Sequence, residues 1–354
     1  MRLGLIGAGW MGAFHAESIA WRIPGAILEA IGDPDVDSAS DLADRLGVAK
    51  VSADAADLLD DPEIDGVIIA SPARFHAGLI GQAARAGKDI FCEKPAGLTL
   101  AELDLALDEV ERAGVHFQIG FNRRYAEDFS AAKQQISSGA VGVPQLLRSL
   151  TRDPGTGSIA TAAKVPAWTI FLETLIHDFD TLNWLNAGAE PVEVYAIADA
   201  LVEPDFKDQG FLDTAVVTIR YSNGAIAVAE ASFSALYGYD VRGEVFGSKG
   251  MVQAGRATEN WMRSYGADGV TAATPRLNVE LFAQAYTAEL ADFASIVDVR
   301  RNGGPAKGSD PAQVPGPADA RRALRIAMAC IESARLGIPV ALHTVAESVP
   351  MEAS

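Results

Sequence analysis

The stretch Arg2-Leu3-Gly4-Leu5-Ile6-Gly7-Ala8-Gly9-Trp10-Met11-Gly12 decides how the chain is read. Arg2 to Ile6 is an apolar run of strand length, and from Trp10 to Trp21 apolar residues recur at helical spacing. Between them Gly7, Gly9 and Gly12 stand in the order GxGxxG. The first glycine permits a tight turn, the second lets the backbone approach a pyrophosphate, and the third lets strand and helix pack closely. The helix N-terminus then faces negative charge. Asp33 ends the next apolar run, 21 residues after Gly12. A carboxylate there accepts hydrogen bonds from the adenine-side ribose and repels a 2′-phosphate, so the pattern points to NAD rather than NADP. Pro34 and Asp35 follow, with no arginine to receive that phosphate. The competing reading is a plain turn with Asp33 capping a helix at Val36; the coincidence of strand, glycines, helix and acid favours the dinucleotide.

Outward from this stretch, apolar runs at Ile27 to Ile31, Gly66 to Ala70, Asp89 to Cys92 and His116 to Ile119 alternate with amphipathic patterns. Those patterns cover Val36 to Leu46, Phe75 to Ala86 and Leu100 to Ala113, each long enough for a crossover. The alternation predicts a doubly wound α/β sheet of parallel strands. After about Asn122 the texture changes to period-2 runs at Val192 to Ala198, Thr214 to Tyr221 and Ala225 to Ser232. Ser222-Asn223-Gly224 reads as a hairpin turn, and Gly247-Ser248-Lys249-Gly250 as another after Arg242 to Phe246, which predicts an antiparallel sheet. Helical patterns at Phe282 to Val299 and Ala318 to Leu336 close the chain, with a loop from Gly303 to Gly316 between them. The expected division is a dinucleotide-binding domain over residues 1–121 and an α+β domain over residues 122–345.

A length of 354 residues suits two domains, and the formal charge of −18 repels phosphate backbones and anionic lipids. Nucleic acid and membrane surfaces are therefore poor partners. No apolar run reaches bilayer length. Cys92 and Cys330 lie far apart and match no metal-ligand spacing. With no secretory pattern at the start, they predict a cytoplasmic location and no metal. The cluster Asp57, Asp60, Asp61, Glu63 and Asp65 reads as a solvated helix end and turn.

Two further segments carry chemistry. Glu93-Lys94-Pro95 ends a strand on the same edge as the glycine loop. An ammonium there can hydrogen-bond a substrate hydroxyl and stabilise developing alkoxide, although a surface lysine paired with Glu93 explains the spacing equally well. In Phe171-Leu172-Glu173-Thr174-Leu175-Ile176-His177-Asp178-Phe179-Asp180, Glu173 and His177 stand four apart. On a helix that puts carboxylate and imidazole on one face, where the ring can accept a hydroxyl proton. Taken by itself, such a pair is more often a structural histidine with its acid. Ser71-Pro72 ends the Gly66 to Ala70 strand on the ligand-binding edge, and His76 just beyond either caps a helix or touches cofactor.

Together these residues resemble the family of glucose-fructose oxidoreductase, inositol dehydrogenase and the rhizopine-catabolism protein MocA, in particular the inositol 2-dehydrogenases and related sugar dehydrogenases. The resemblance rests on the glycine loop, Ser71-Pro72 with His76, Glu93-Lys94-Pro95, Gly120-Phe121-Asn122-Arg123-Arg124-Tyr125, the His177-Asp178-Phe179-Asp180 helix, and Ala323-Leu324 to Gly337-Ile338-Pro339-Val340. It implies a Rossmann domain followed by an open-faced antiparallel sheet through which dimers or tetramers assemble. It implies Lys94, Glu173 and His177 as catalytic residues, and Pro95 as a cis-proline beside the nicotinamide. The implied cofactor set is Gly7, Gly9, Trp10, Met11, Gly12, Asp33, Ser71, Pro72, His76, Glu93, Lys94, Pro95 and Arg123. Lys94, Arg152, Asp153, Glu173, His177 and Tyr237 would meet the substrate hydroxyls. Two positions depart from the family pattern: Glu173 stands where aspartate is usual, and Thr151-Arg152-Asp153 replaces a histidine and asparagine.

The expected reaction is NAD-linked oxidation of a secondary ring hydroxyl of a cyclitol or sugar to the ketone. Two alternatives share the cofactor: a transient redox cycle on a glycoside, and a nicotinamide-sensing regulator without catalysis. Retention of Lys94, Glu173 and His177 argues against the regulator.

Overall fold

The computed structural model describes residues 1–155, 167–209, 211–258, 260, 262–303 and 313–345, and contacts divide the chain into two units. In the first unit, strands β1 (Arg2–Ile6), β2 (Ile27–Gly32), β3 (Lys50–Ser52), β4 (Gly66–Ile69), β5 (Asp89–Cys92) and β6 (Phe117–Ile119) form one sheet. Their order is β3-β2-β1-β4-β5-β6, and every pairing is parallel. Between the strands run α1 (Trp10–Arg22), α2 (Val36–Leu46), α3 (Ala55–Asp60), α4 (His76–Arg85) and α5 (Leu100–Ala113). β4 and β5 are buried at every position, which is why their sequences are continuous apolar runs rather than alternations. Side chains set the helix starts. Asp35 accepts the Ser38 amide at α2 and Thr99 the Glu102 amide at α5, while Gly47 and Gly114 end those helices in the left-handed region. The sequence pattern finds five of these six strands and misses β3 and α3, which are too short for periodicity to register. The acidic cluster falls on the end of α3 and the turn after it, where Asp61 pairs with Lys50 at 2.8 Å.

The second unit contains α6 (Glu127–Ser137), β7 (Pro144–Arg152), α7 (Leu175–Leu185), β8 (Pro191–Asp199), β9 (Thr214–Tyr221), β10 (Ile226–Ser232), β11 (Asp240–Gly247) and β12 (Met251–Arg256). A small hairpin follows, β13 (Ser264–Gly266) with β14 (Gly269–Thr271), and β15 (Val340–Ala341) joins the main sheet. That sheet has the order β12-β11-β7-β10-β9-β8-β15. Both expected turns are present, joining β9 to β10 and β11 to β12. The sheet is nonetheless mixed, not antiparallel: β7 enters between β10 and β11 and runs parallel to β10. Hairpin signals fix only strands that are neighbours in sequence, so this pairing was not readable from them.

Strand parity gives the sheet two distinct faces. On one, α7 packs against β7 and β10, and Asp178 accepts hydrogen bonds from Ser149 (2.5 Å) and Thr151 (2.7 Å) of β7. On the other, Met251, Phe246, Leu146 and Ile226 pair across four strands as a half-exposed apolar row.

Helices α8 (Asn278–Asn302) and α9 (Pro317–Leu336) each pass from one unit to the other. The first unit reaches Tyr125 and also takes Gln284–Arg321, which the sequence reading had left in the second domain. The reason is core packing: Leu290, Phe293, Ala294 and Val297 of α8 are buried with Leu3, Leu5, Ile31 and Phe91. Helix α8 departs from helical geometry at Phe282, just before this change of unit. Of the expected loop from Gly303 to Gly316, residues 304–312 lie outside the described residues. Among the described residues no helix is long and apolar enough to cross a membrane.

Phe293 has no exposed surface and its ring lies 5.9 Å from that of Phe91. Phe293→Ala is therefore expected to cost about 3–5 kcal/mol in urea unfolding. A loss below about 1 kcal/mol would mean that α8 is not part of the first core.

Candidate active site

Steric contact explains two of the three loop glycines. Gly7 has a φ of +105°, and a Cβ there would stand 2.7 Å from the backbone of Ala70 and Ser71. A Cβ on Gly12 would stand 1.9 Å from the Gly7 carbonyl oxygen. Gly9 is different, because its Cβ would meet nothing within 4 Å. It leaves an open approach to the N-terminus of α1, which it caps without any side-chain hydrogen bond. Trp10 and Met11 begin that helix, Trp10 exposed and Met11 half-buried. Asp33 accepts the Ala8 amide on one carboxylate oxygen (2.7 Å) and the Asp35 amide on the other (2.8 Å). An accessible backbone at Gly9, uncapped amides and a carboxylate fixed beside them suit the pyrophosphate and ribose of a dinucleotide.

The ends of β4 and β5 lie on the same edge of the sheet. From Lys88 to Gly97 every residue is buried except Lys94, and the Lys94–Pro95 peptide is cis, as the resemblance implied. The carboxylate of Glu93 turns inward: one oxygen meets His15 Nε2 at 2.8 Å, and the other accepts the Lys94 amide at 3.2 Å. Burial pushes this carboxyl up, but His15 and the Lys94 charge outweigh it and hold it below the ordinary range. His76 is 1% exposed, with its two ring nitrogens each 2.7 Å from a carbonyl oxygen, of Pro95 and of Ser71. Burial pushes its imidazole below the usual range.

Glu93 and His76, both expected among the cofactor residues, have their side-chain polar atoms hydrogen-bonded within the protein. His76 ties the half-buried Ser71 and exposed Pro72 to the turn that carries Lys94. Arg123 is buried in the short turn Asn122–Tyr125, beside Arg124, which pairs with Asp319 at 2.9 Å.

In the second unit Trp168 has a φ of +65°, uncommon for so large a residue, and leads into a π-helical turn over Ile170–Thr174 before α7. Glu173 and His177 therefore do not share one regular α-helix, and the ideal four-residue geometry does not apply across the junction. From Ile170 to Asn186 the chain is buried except at Glu173, Thr174 and His177, which form one accessible strip. Asp178 anchors the helix next to that strip.

The expected substrate residues separate. Arg152 lies on the sheet face opposite α7, where it joins Arg148 in pairing with Glu230. Odd and even positions of a strand face opposite ways, so Thr151 faces α7 and Arg152 faces the other side of the sheet. Asp153 accepts the Gly155 amide at 2.7 Å and the hydroxyl of Tyr239, a residue the sequence reading passed over. Tyr237 is half-exposed and donates to Asp240 at 2.9 Å. Among the described residues no cluster of histidine, cysteine or acidic side chains has the makings of a metal site.

Comparison with known proteins agrees with this architecture. The profile of the oxidoreductase family with an NAD-binding Rossmann fold, GFO/IDH/MocA, matches residues 1–121, and the GFO/IDH/MocA C-terminal domain matches residues 129–253. Myo-inositol 2-dehydrogenase of Thermotoga maritima is 39% identical over 73% of this chain and 76% of that protein. The NAD(+)-dependent scyllo-inositol 2-dehydrogenase of Bacillus subtilis is 34% identical over 97% of this chain and 96% of its own length. The crystal structure of scyllo-inositol dehydrogenase from Lactobacillus casei with bound NAD(H) and scyllo-inositol superposes with a TM-score of 0.89 at 28% identity, covering 97% of this chain and 99% of that one. With its glycine loop, its Asp33 and both of its units accounted for, the chain belongs to the GFO/IDH/MocA family of NAD-binding oxidoreductases.

Proposed function

We propose that the chain is an NAD-dependent inositol dehydrogenase, which oxidises a secondary ring hydroxyl of a cyclitol to the ketone. The observation that carries this reading is Lys94, the one accessible side chain in a buried segment on the edge that also holds the glycine loop. Relatives that act on myo- and scyllo-inositol support the substrate class. Bound NAD supplies the hydride acceptor. Lys94 donates a hydrogen bond to the hydroxyl oxygen and stabilises the negative charge that develops there as the C–H bond breaks. His177 accepts the hydroxyl proton and becomes imidazolium, and in the reverse direction returns it. The Glu173 carboxylate, on the same accessible strip, orients the ring and stabilises its charged form. Arg123 serves the cofactor, while Asp153 and Tyr237 read the outer hydroxyls of the substrate.

The location we propose is cytoplasmic, which the two buried free cysteines favour. We also propose a homo-oligomer assembled through the open sheet face. Its support is the apolar row of Met251, Phe246, Leu146 and Ile226, together with exposed Val216 and Ile197, which pair with each other on the same face level with Glu230.

Four measurements test these assignments. Initial rates across inositols, aldohexoses and methyl glycosides should show NAD reduction with one stereochemical group. Lys94→Ala and His177→Ala should lower that rate by about 100- to 10,000-fold while NAD still binds. Near-normal rates in both variants would remove the catalytic assignment. Substrate turnover without net reduced cofactor would point to the transient redox cycle, and silence with NAD bound to a sensor.

Asp33→Ala should weaken the preference for NAD over NADP by roughly 10- to 100-fold in kcat/KM, since it deletes charge-assisted hydrogen bonds and a repulsive charge. An unchanged ratio would sink that role. For the assembly, light scattering on Val216→Asp/Ile226→Asp should give a smaller particle than the wild type. Equal masses would refute the sheet-face interface.

A further inference from the structure

Close to β5, the strand that leads into Lys94, the buried polar atoms with no hydrogen-bond partner among the described residues include His15 Nδ1, the side-chain carbonyl of Gln118 and both carboxyl oxygens of Glu289. Glu289 has no exposed surface at all, and its backbone carbonyl accepts the Gln118 side-chain amide at 3.0 Å. Buried polar groups are almost always bonded, and an ionised carboxylate with neither oxygen bonded is the costliest exception. Burial, and then the neighbouring Glu93, push the Glu289 carboxyl well above its ordinary range.

Glu93 is the opposite case. Its Oε1 meets His15 of α1, the helix that begins at the glycine loop, and its Oε2 accepts the amide of Lys94. One carboxylate thus links the cofactor-binding helix to the backbone of the lysine. His15 is fixed among aromatic rings, with Phe91 at 5.6 Å, Tyr286 at 6.1 Å and Phe14 at 6.3 Å between centroids. Gly120 supplies the space: a Cβ there would stand 3.3 Å from the Glu93 carboxyl carbon and Oε2.

We propose that Glu93, held between His15 and the Lys94 amide, is the positioning residue for Lys94, and that Glu289 is its neutral, protonated neighbour. The inference rests on the reading of Lys94 as the group that touches the substrate hydroxyl. The groups facing Glu93 are His15 from α1, His76 from α4, Cys92 and Lys94 on its own strand end, and Glu289 from α8. Only one of the two glutamates carries charge. A second anion would repel Glu93 from the position in which it holds the lysine backbone, so the proton on Glu289 is part of the arrangement.

The test uses the full chain. His15→Phe and Glu93→Gln, checked for folding by circular dichroism, should lower kcat about 10- to 100-fold with the NAD dissociation constant nearly unchanged, because a small misplacement of Lys94 costs rate rather than binding. A wild-type kcat in either folded variant, or an equal loss of NAD affinity, would overturn the positioning role. The second arm needs neither substrate nor turnover: the infrared difference between wild type and Glu289→Gln at neutral pH should contain a protonated-carboxyl band. Carboxylate bands in its place would overturn the neutral acid, whereas a wild type inactive on every polyol would count against the dehydrogenase reading alone and leave this spectrum standing.

Discussion

The Gly7 carbonyl oxygen occupies the place where a side chain on Gly12 would begin. This close approach lets β1 pass into α1 through only Gly7, Ala8 and Gly9. It also fixes the helix so that its uncapped N-terminus stands over the carboxyl edge of the sheet, where the Asp33 carboxylate is tied back to Ala8. His15, one turn into the same helix, is carried to Glu93, and Glu93 to the amide of Lys94. The cofactor loop and the lysine are thus parts of one rigid construction. Holding a dinucleotide and fixing the backbone of Lys94 share a single steric origin.

The second unit solves a different problem, that of presenting polar side chains from a helix that is otherwise enclosed. Asp178 is buried and accepts two hydroxyl hydrogen bonds from β7, each to a charged acceptor and worth about 1.5–3 kcal/mol. That attachment sets the rotation of α7 on the sheet. With the helix so rotated, Glu173, Thr174 and His177 are what remains accessible. The π-helical turn preceding α7 changes where Glu173 points relative to a regular helix, and it coincides with the position where this chain has glutamate instead of the family's usual aspartate.

Much of the first unit was legible because its signals are local. Strand runs, helical periods and glycine spacing each depend on a few neighbouring residues. β3 and α3 were lost because three and six residues do not make a period. The second unit was read less well. Its hairpins announced themselves, but the parallel pairing of β7 with β10 joins segments some eighty residues apart, and no pattern within either strand encodes the other. Arg152 shows the same limit at one residue. Its charge and its place after Thr151 suggested a polyol contact, yet strand parity turns it to the far face and Glu230 holds it there.

The sequence by itself determined the class of cofactor and the doubly wound sheet. Those properties follow from steric demands and side-chain chemistry that act over one or two turns of chain. Tertiary structure alone decided that Gln284–Arg321 completes the first core, that the side-chain polar atoms of His76 and Glu93 are bonded within the protein, and that Glu289 is sealed with neither carboxyl oxygen bonded among the described residues. Burial and the direction of a side chain are set by distant segments packing together, and burial pushes a carboxyl up unless partners outweigh it, as His15 and the Lys94 charge do at Glu93 and nothing does at Glu289.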